Sequence, residues 1–366
     1  LLQRKKSALS PAQLEARKST GRFSFHWYRI RVTIPEKIGN FDPSGSTVIF
    51  ELVIDDYAEI WVNGNLPTVF GHTGGQLVKG FNAPNRVVLS RSAQPGQQFQ
   101  LAIFGMNAPV PSPPGNFIWV RSATLDFYMS DQAYKPQEFT LEITRKDPAL
   151  DAIIPANAKL EQIATGFLFT EGPVWVPAVD GVPGYLLFSD PNANTIYRWS
   201  QDGQVSVYKT KSGYTGVNVG EYNQPGSNGL TLDKEGRVTI NEHGNRRVTR
   251  LEKTGALTVL ADRYEVNEDC TLANGKVFFD LTSAPGEDAI DGVKVDQKGN
   301  LYVSGPGGLW ILSPAGKHLG ALKGPEHPHN LAWGDEGGKT LYLTAQTSVY
   351  RIRLNIPGVC PGAGRQ

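Results

Sequence analysis

The second half of this chain repeats one unit four times, and the repeat limits the architectures open to it. Each copy opens on an acid or amide, runs into an apolar strand, turns, and enters a second strand. The first copy reads Glu171-Gly172-Pro173-Val174-Trp175, followed by Gly184 to Asp190. The second reads Asn228-Gly229-Leu230-Thr231-Leu232-Asp233, followed by Gly236 to Ile240. The third reads Asp291-Gly292-Val293-Lys294-Val295-Asp296, followed by Gly299 to Ser304. The fourth reads Asn330-Leu331-Ala332-Trp333-Gly334-Asp335, followed by Lys339 to Thr344. Such a unit cannot bury its apolar face alone. Copies arrayed around an axis form a β-propeller of about 4–8 blades, each roughly 40–50 residues long. The opening residues are spaced by 57, 63 and 39 positions, and a Gly- and Tyr-rich insertion from Ser212 to Pro225 lengthens the first gap.

At 366 residues the chain exceeds a single core, so about two domains are expected. Its 40 Gly and 25 Pro suit the many tight turns of an all-β protein. A net charge of +1 gives no attraction to nucleic acid or an anionic membrane surface. No apolar run approaches the ~20 residues of a spanning helix. Cys270 and Cys360 have no metal-ligand spacing, and whether they pair is open. The chain begins at Leu1, which fits a processed or truncated product. The compartment is left open, a secreted or periplasmic protein whose signal peptide is missing from this chain being one reading.

Residues 1–22 read as an N-terminal tail with a short helix after Ser10-Pro11. Residues 23–130 read as a β-sandwich, with a hairpin signal at Asn63-Gly64 and a turn at Gln94-Pro95-Gly96. A slip in the alternation between Trp27 and Ile30 predicts a bulge or twist. Residues 131–160 read as a linker with one strand at Phe139 to Ile143, residues 161–355 as the propeller, and 356–366 as a C-terminal tail.

In equivalent blades Glu171, Asn228, Asp291 and Asn330 occupy equivalent places. Two carboxylates and two amides form the all-oxygen set that hard cations such as Ca²⁺ prefer. A cation there could polarise a substrate carbonyl or phosphoryl oxygen and activate water. The same residues are common in turns, Asn-Gly and Asp-Gly above all, so the pattern leaves both readings open. His243, in Asn241-Glu242-His243-Gly244-Asn245, and His329, beside Asn330, are candidates for lining the mouth. No zinc-type His or Cys spacing and no Gly-x-Ser-x-Gly elbow occurs. Gly305-Pro306-Gly307-Gly308 lies between two apolar strands and reads as a hairpin.

Several segments together resemble the SMP-30/gluconolactonase/luciferin-regenerating family. They are Phe169 to Trp175, Leu187 to Pro191, Ser227 to Thr231, Glu242 to Val248 and Asp291 to Asp296. The resemblance covers about residues 160–355. It implies a six-bladed propeller with a divalent cation, Ca²⁺ or Zn²⁺, in the central channel, and hydrolysis of a sugar lactone. Carried over, Glu171 and Asp291 are metal ligands, Asp291 is also the catalytic base, and Asn228 lines the same site. Asn330, His329 and His243 are left as substrate-side candidates. One departure is large: the family's Asn-Ser-Pro-Asn-Asp segment is missing after Glu265, and family-like sequence resumes at Ala273. About two blades are missing on this reading, leaving four. Asp55 to Asn65 resembles the hairpin of galactose-binding-like jelly rolls, which implies a structural or carbohydrate-binding module. The rival to the lactonase is a non-catalytic propeller that binds carbohydrate or a protein partner. A third reading is hydrolysis of another ester, organophosphates included.

Overall fold

The computed structural model describes residues 24–39, 41–54, 57–66, 84–107, 118, 120–128, 131–215, 222–262, 277–286 and 290–361. The N-terminal tail, Cys270 and the segment around Asn267 lie outside these residues. The chain divides into two compact units, residues 1–131 and 132–366.

The first unit contains β1 (Ser24–Thr33), β2 (Thr47–Ile54), β3 (Tyr57–Val62), β4 (Pro84–Ser90), β5 (Gln98–Asn107) and β6 (Val120–Tyr128). They form two three-stranded antiparallel sheets, ordered β1-β5-β3 and β4-β2-β6. Val32, Ile60, Leu101 and Ile103 of one sheet share a core with Phe50, Leu52, Val87 and Leu89 of the other. The bulge expected in β1 is not there: its pairing with β5 runs unbroken from Ser24↔Asn107 to Thr33↔Gln98. The phase slip has another cause. Phe25 and Trp27 point outward and pack on Phe104, with ring centroids 5.9 and 5.2 Å away, while Val32 and Ile34 point into the core. Asn63 and Gly64 adopt φ of 49° and 84°, closing a tight turn whose ends bridge Val62 and Asn65.

The second unit opens with three short strands, β7 (Gln132–Ala133), β8 (Gln137–Phe139) and β9 (Glu142–Arg145), then a 3₁₀ turn at Pro148–Ala152 and β10 (Leu160–Thr165). Four antiparallel sheets follow. The first holds β11 (Glu171–Val176), β12 (Tyr185–Asp190), β13 (Thr195–Ser200) and β14 (Gln204–Thr210). The second holds β15 (Ser227–Leu232), β16 (Val238–Glu242), β17 (Arg247–Leu251) and β18 (Leu257–Asp262). The third holds β19 (Val293–Val295), β20 (Leu301–Gly305), β21 (Gly308–Leu312) and β22 (His318–Lys323). The fourth holds β23 (Pro328–Gly334), β24 (Thr340–Ala345), β25 (Ser348–Arg353) and, from the start of the unit, β10. These are four propeller blades, each opening on one of the repeats. Gly305 pairs with Gly308 to close the hairpin expected there.

The stretch read as a linker instead carries the outermost strands of three blades: β7 on β14, β8 on β10 and β9 on β22. Its two- to four-residue strands are mostly exposed, so they show little of the alternation that marks a strand with a buried face.

The inner strands lie side by side in the order β15, β11, β23, β19. Between the first two blades the core is aliphatic, with Val174, Leu187 and Ile196 against Leu230, Leu232 and Ile240. Between the first and fourth it is aromatic. Trp175 stacks on Tyr342 at 5.4 Å and 8°, and Trp199 meets the same ring at 5.8 Å. Between the fourth and third, Trp333 meets Tyr302 edge-on at 5.1 Å. Val259, Leu260, Ile290, Val293 and Val295, on the second and third blades, are exposed.

In the second and third repeats the Asp after the first strand closes a hairpin. Asp296 is buried and accepts from the Lys298 and Asn300 amides, the Asn300 side chain and the Tyr302 hydroxyl at 2.7–3.1 Å. Asp233 does the same for the Glu235 and Arg237 amides at 2.9 Å, nearer to solvent. Asp296→Ala removes four hydrogen bonds to a buried charge. It is expected to cost roughly 2–3 kcal/mol in urea unfolding, and Asp233→Ala about half as much.

Candidate functional site

Three of the repeats' opening residues, Glu171, Asn228 and Asn330, lie at or beside irregularities in the inner strands. The pairing of β11 with β12 shifts between Glu171 and Val174, that of β15 with β16 between Ser227 and Leu230, and that of β23 with β24 between Pro328 and Asn330. A bulge re-aims the side chains around it. Asn228-Gly229 therefore sits inside a strand, not in a turn.

The glycines have a packing role. Gly172 has φ +50°, and a Cβ on it would lie 2.0 Å from the backbone oxygen of Asn228. A Cβ on Gly292 would lie 2.7 Å from the Cα and from Oδ1 of Asn330. In each pair one blade's glycine receives the opening residue of the next blade. The Gly292 amide also donates to the His329 carbonyl at 2.9 Å, and the Asp291 amide to Ser304 at 3.0 Å.

These contacts bring Glu171, Asp291 and Asn330 together. Glu171 is buried, 2% exposed, while Asp291 is exposed. Oε2 of Glu171 accepts from its neighbour's amide, Gly172, at 2.6 Å and from Nδ2 of Asn330 at 3.1 Å. Burial, with the nearby Asp291 carboxylate adding to it, pushes the Glu171 carboxyl up to about 7 despite those two donors.

Lys294, which the sequence did not single out, belongs to the same group. Its ammonium donates to Oδ1 of Asn330 at 3.4 Å and to the Val293 carbonyl at 3.3 Å. Burial lowers its pKa, and the charges of Glu171 and Asp291 act in the opposite direction. Oδ1 of Asn330 also accepts from the Leu331 amide at 2.9 Å. Asn330 thus gives its nitrogen to Glu171 and its oxygen to Lys294, and it ties the pair together.

The other candidates stand differently. Asn228 is half-buried, and its backbone is the part seated against Gly172. The His329 ring stacks on Phe169 at 4.5 Å and 26°, immediately beside Asn330. His243 is exposed, on the second blade, with Nδ1 2.8 Å from the Gln224 carbonyl. Nearby Glu242 is buried and fully used, accepting from Asn245, Arg247 and Thr249 at 2.6–2.7 Å. Among the described residues, no group of three or more His, Cys, Asp or Glu side chains gathers around a common point.

Residues 262–347 match the model of the SMP-30/gluconolactonase/LRE-like region. A gluconolactonase from Zymomonas mobilis is 25% identical over 314 residues, covering 59% of this chain and 87% of that protein. The match uses so much more of the relative that about 100 of its positions face no residue here, close to two blades of roughly 40–50 residues. Among solved structures, a gluconolactonase from Xanthomonas campestris is 18% identical, with a TM-score of 0.49 over 61% of this chain and 98% of that one. A calcium-binding regucalcin from Agrobacterium tumefaciens strain C58 is 16% identical, with a TM-score of 0.36 over 56% and 97%. The four-blade architecture stands on the strand pairing, not on these loose superpositions.

Gly172→Ala is expected to separate the first two blades where they touch. Its Cβ would collide with backbone, and its φ disfavours any side chain. A loss of at least ~2 kcal/mol in denaturant unfolding is expected, against about 1 kcal/mol for Gly236→Ala, whose φ of +74° strains a side chain but whose Cβ meets nothing within 4 Å.

Proposed function

We propose that this chain, which carries an SMP-30/gluconolactonase/LRE-like region, hydrolyses a sugar lactone at the Glu171–Asp291 pair. The observation that carries the reading is the meeting of a buried carboxyl with an exposed one at the ends of inner strands from different blades. Two carboxyl groups in unlike surroundings can take unlike roles. The Zymomonas relative supports the substrate class.

In the proposed reaction water adds to the lactone carbonyl and the ring C–O bond breaks. One water is consumed, and a hydroxy acid is released. Asp291, open to solvent, takes the proton from the attacking water as general base. That proton then passes to the ring oxygen as it leaves. Glu171, fixed by the Gly172 amide and by Asn330, cannot turn to solvent and serves to hold and orient. His329, stacked on Phe169 beside Asn330, borders the site on the substrate side.

The donor set fits a hard divalent cation, Ca²⁺ first and Zn²⁺ second. Its donors are oxygens, and two carboxylates lie close together with one of them buried, an arrangement that added positive charge would relieve. Glu171 and Asp291 would hold the cation with Asn228, while Asn330 lines the site, its oxygen being engaged already. Such a cation supplies polarisation of the carbonyl and a more acidic water. With two carboxylates among the described residues, water and amide oxygens would complete its shell.

Glucono-δ-lactone hydrolysis, followed by acid release in weak buffer, tests the reading. The full chain is expected to turn the lactone over with added Ca²⁺ or Zn²⁺ and to lose that activity in a chelator. Asp291→Asn is expected to lower kcat by roughly 10²–10⁴-fold without unfolding the protein. No cation-dependent rate above the spontaneous one would overturn the lactonase in favour of a binding propeller.

A further inference from the structure

β19 is only three residues long, and its flanking Val293 and Val295 are exposed while the charged Lys294 between them is half-buried. This inverts the usual order, in which a strand buries its valines and leaves its lysine in water. What draws the side chain inward is charge. The groups around it are Glu171, Asp291, the Asn330 amide oxygen and the Val293 carbonyl, all negative or electron-rich. Lys294 reaches the pair through Asn330 and by its charge, not by a direct ion pair with either carboxylate.

We infer that Lys294 is the resident counter-cation of the Glu171–Asp291 pair, and that a divalent cation is held there only as this ammonium gives way. The inference rests on the cation site proposed above and deepens it. Fully ionised, two carboxylates beside one ammonium carry a net charge of −1. A divalent ion at the same pair must then be bound against the positive charge of an ammonium that bonds the same Asn330 as Glu171 does, and like charges repel. Lys294 is linked to Glu171 through Asn330, which bonds both. Moving the ammonium frees the Asn330 oxygen, whose remaining donor is the Leu331 amide. Lys294 is therefore a positioning residue. It keeps the pair charge-balanced when no cation is present and sets how tightly one is held.

The test is calorimetric titration of the chelator-stripped full chain with CaCl₂ and with MnCl₂, comparing wild type, Lys294→Met and Lys294→Gln. Circular dichroism and thermal melting check the folding of each variant, and Gln keeps a polar group should Met disturb the fold. Both variants are expected to bind one cation about tenfold or more tightly than wild type. Unchanged or weaker binding, or no binding by any of the three, would overturn the counter-cation role. Lactone hydrolysis measured on the same samples separates the two claims. Cation-dependent turnover without tighter binding sinks the role of Lys294 alone. Tighter binding without turnover on any lactone sinks the lactonase reading and leaves Lys294 in place.

Discussion

The candidate site depends on one contact made twice: a glycine on one inner strand receiving the backbone of the opening residue on the next. Gly172 takes Asn228, and Gly292 takes Asn330. In both places a side chain would meet backbone at less than 3 Å. These contacts fix how closely the blades approach at their inner ends. The Asn330 amide then spans from Glu171 on one side to Lys294 on the other. Without the close approach, Glu171 would be an isolated buried carboxyl with no functional neighbour.

Much of this was legible in the sequence. Four copies of an acid- or amide-led strand pair announced four blades, and the order of apolar runs and turns gave the strands. Other features were not legible, for physical reasons. Asn-Gly and Asp-Gly have the same letters in a turn and in a bulge; only the neighbouring blade distinguishes them. Lys294 carries no signal of its own in the sequence, because the carboxylates near it lie on other elements. β7, β8 and β9 are too short and too exposed to carry a periodic signal. The aromatic run at the start of β1 suggested a bulge, but Phe25 and Trp27 serve the outer face of an unbroken strand.

The inner strands follow one another as second, first, fourth and third blade, and interfaces of aliphatic, aromatic and mixed character join them in turn. The second and third blades carry exposed Val259, Leu260, Val293 and Val295. The Zymomonas relative has about 100 residues without counterparts here, a length of roughly two blades. The carboxylate pair is nevertheless built from the first and third repeats, with the fourth between them.

The central claim is that Glu171 and Asp291 form a single cation-binding pair. Anomalous diffraction from crystals soaked in MnCl₂ tests it most directly. One strong peak is expected within bonding distance of both carboxylates, lost in Glu171→Gln. A peak elsewhere with none between these residues, or a peak indifferent to Glu171→Gln, would contradict it.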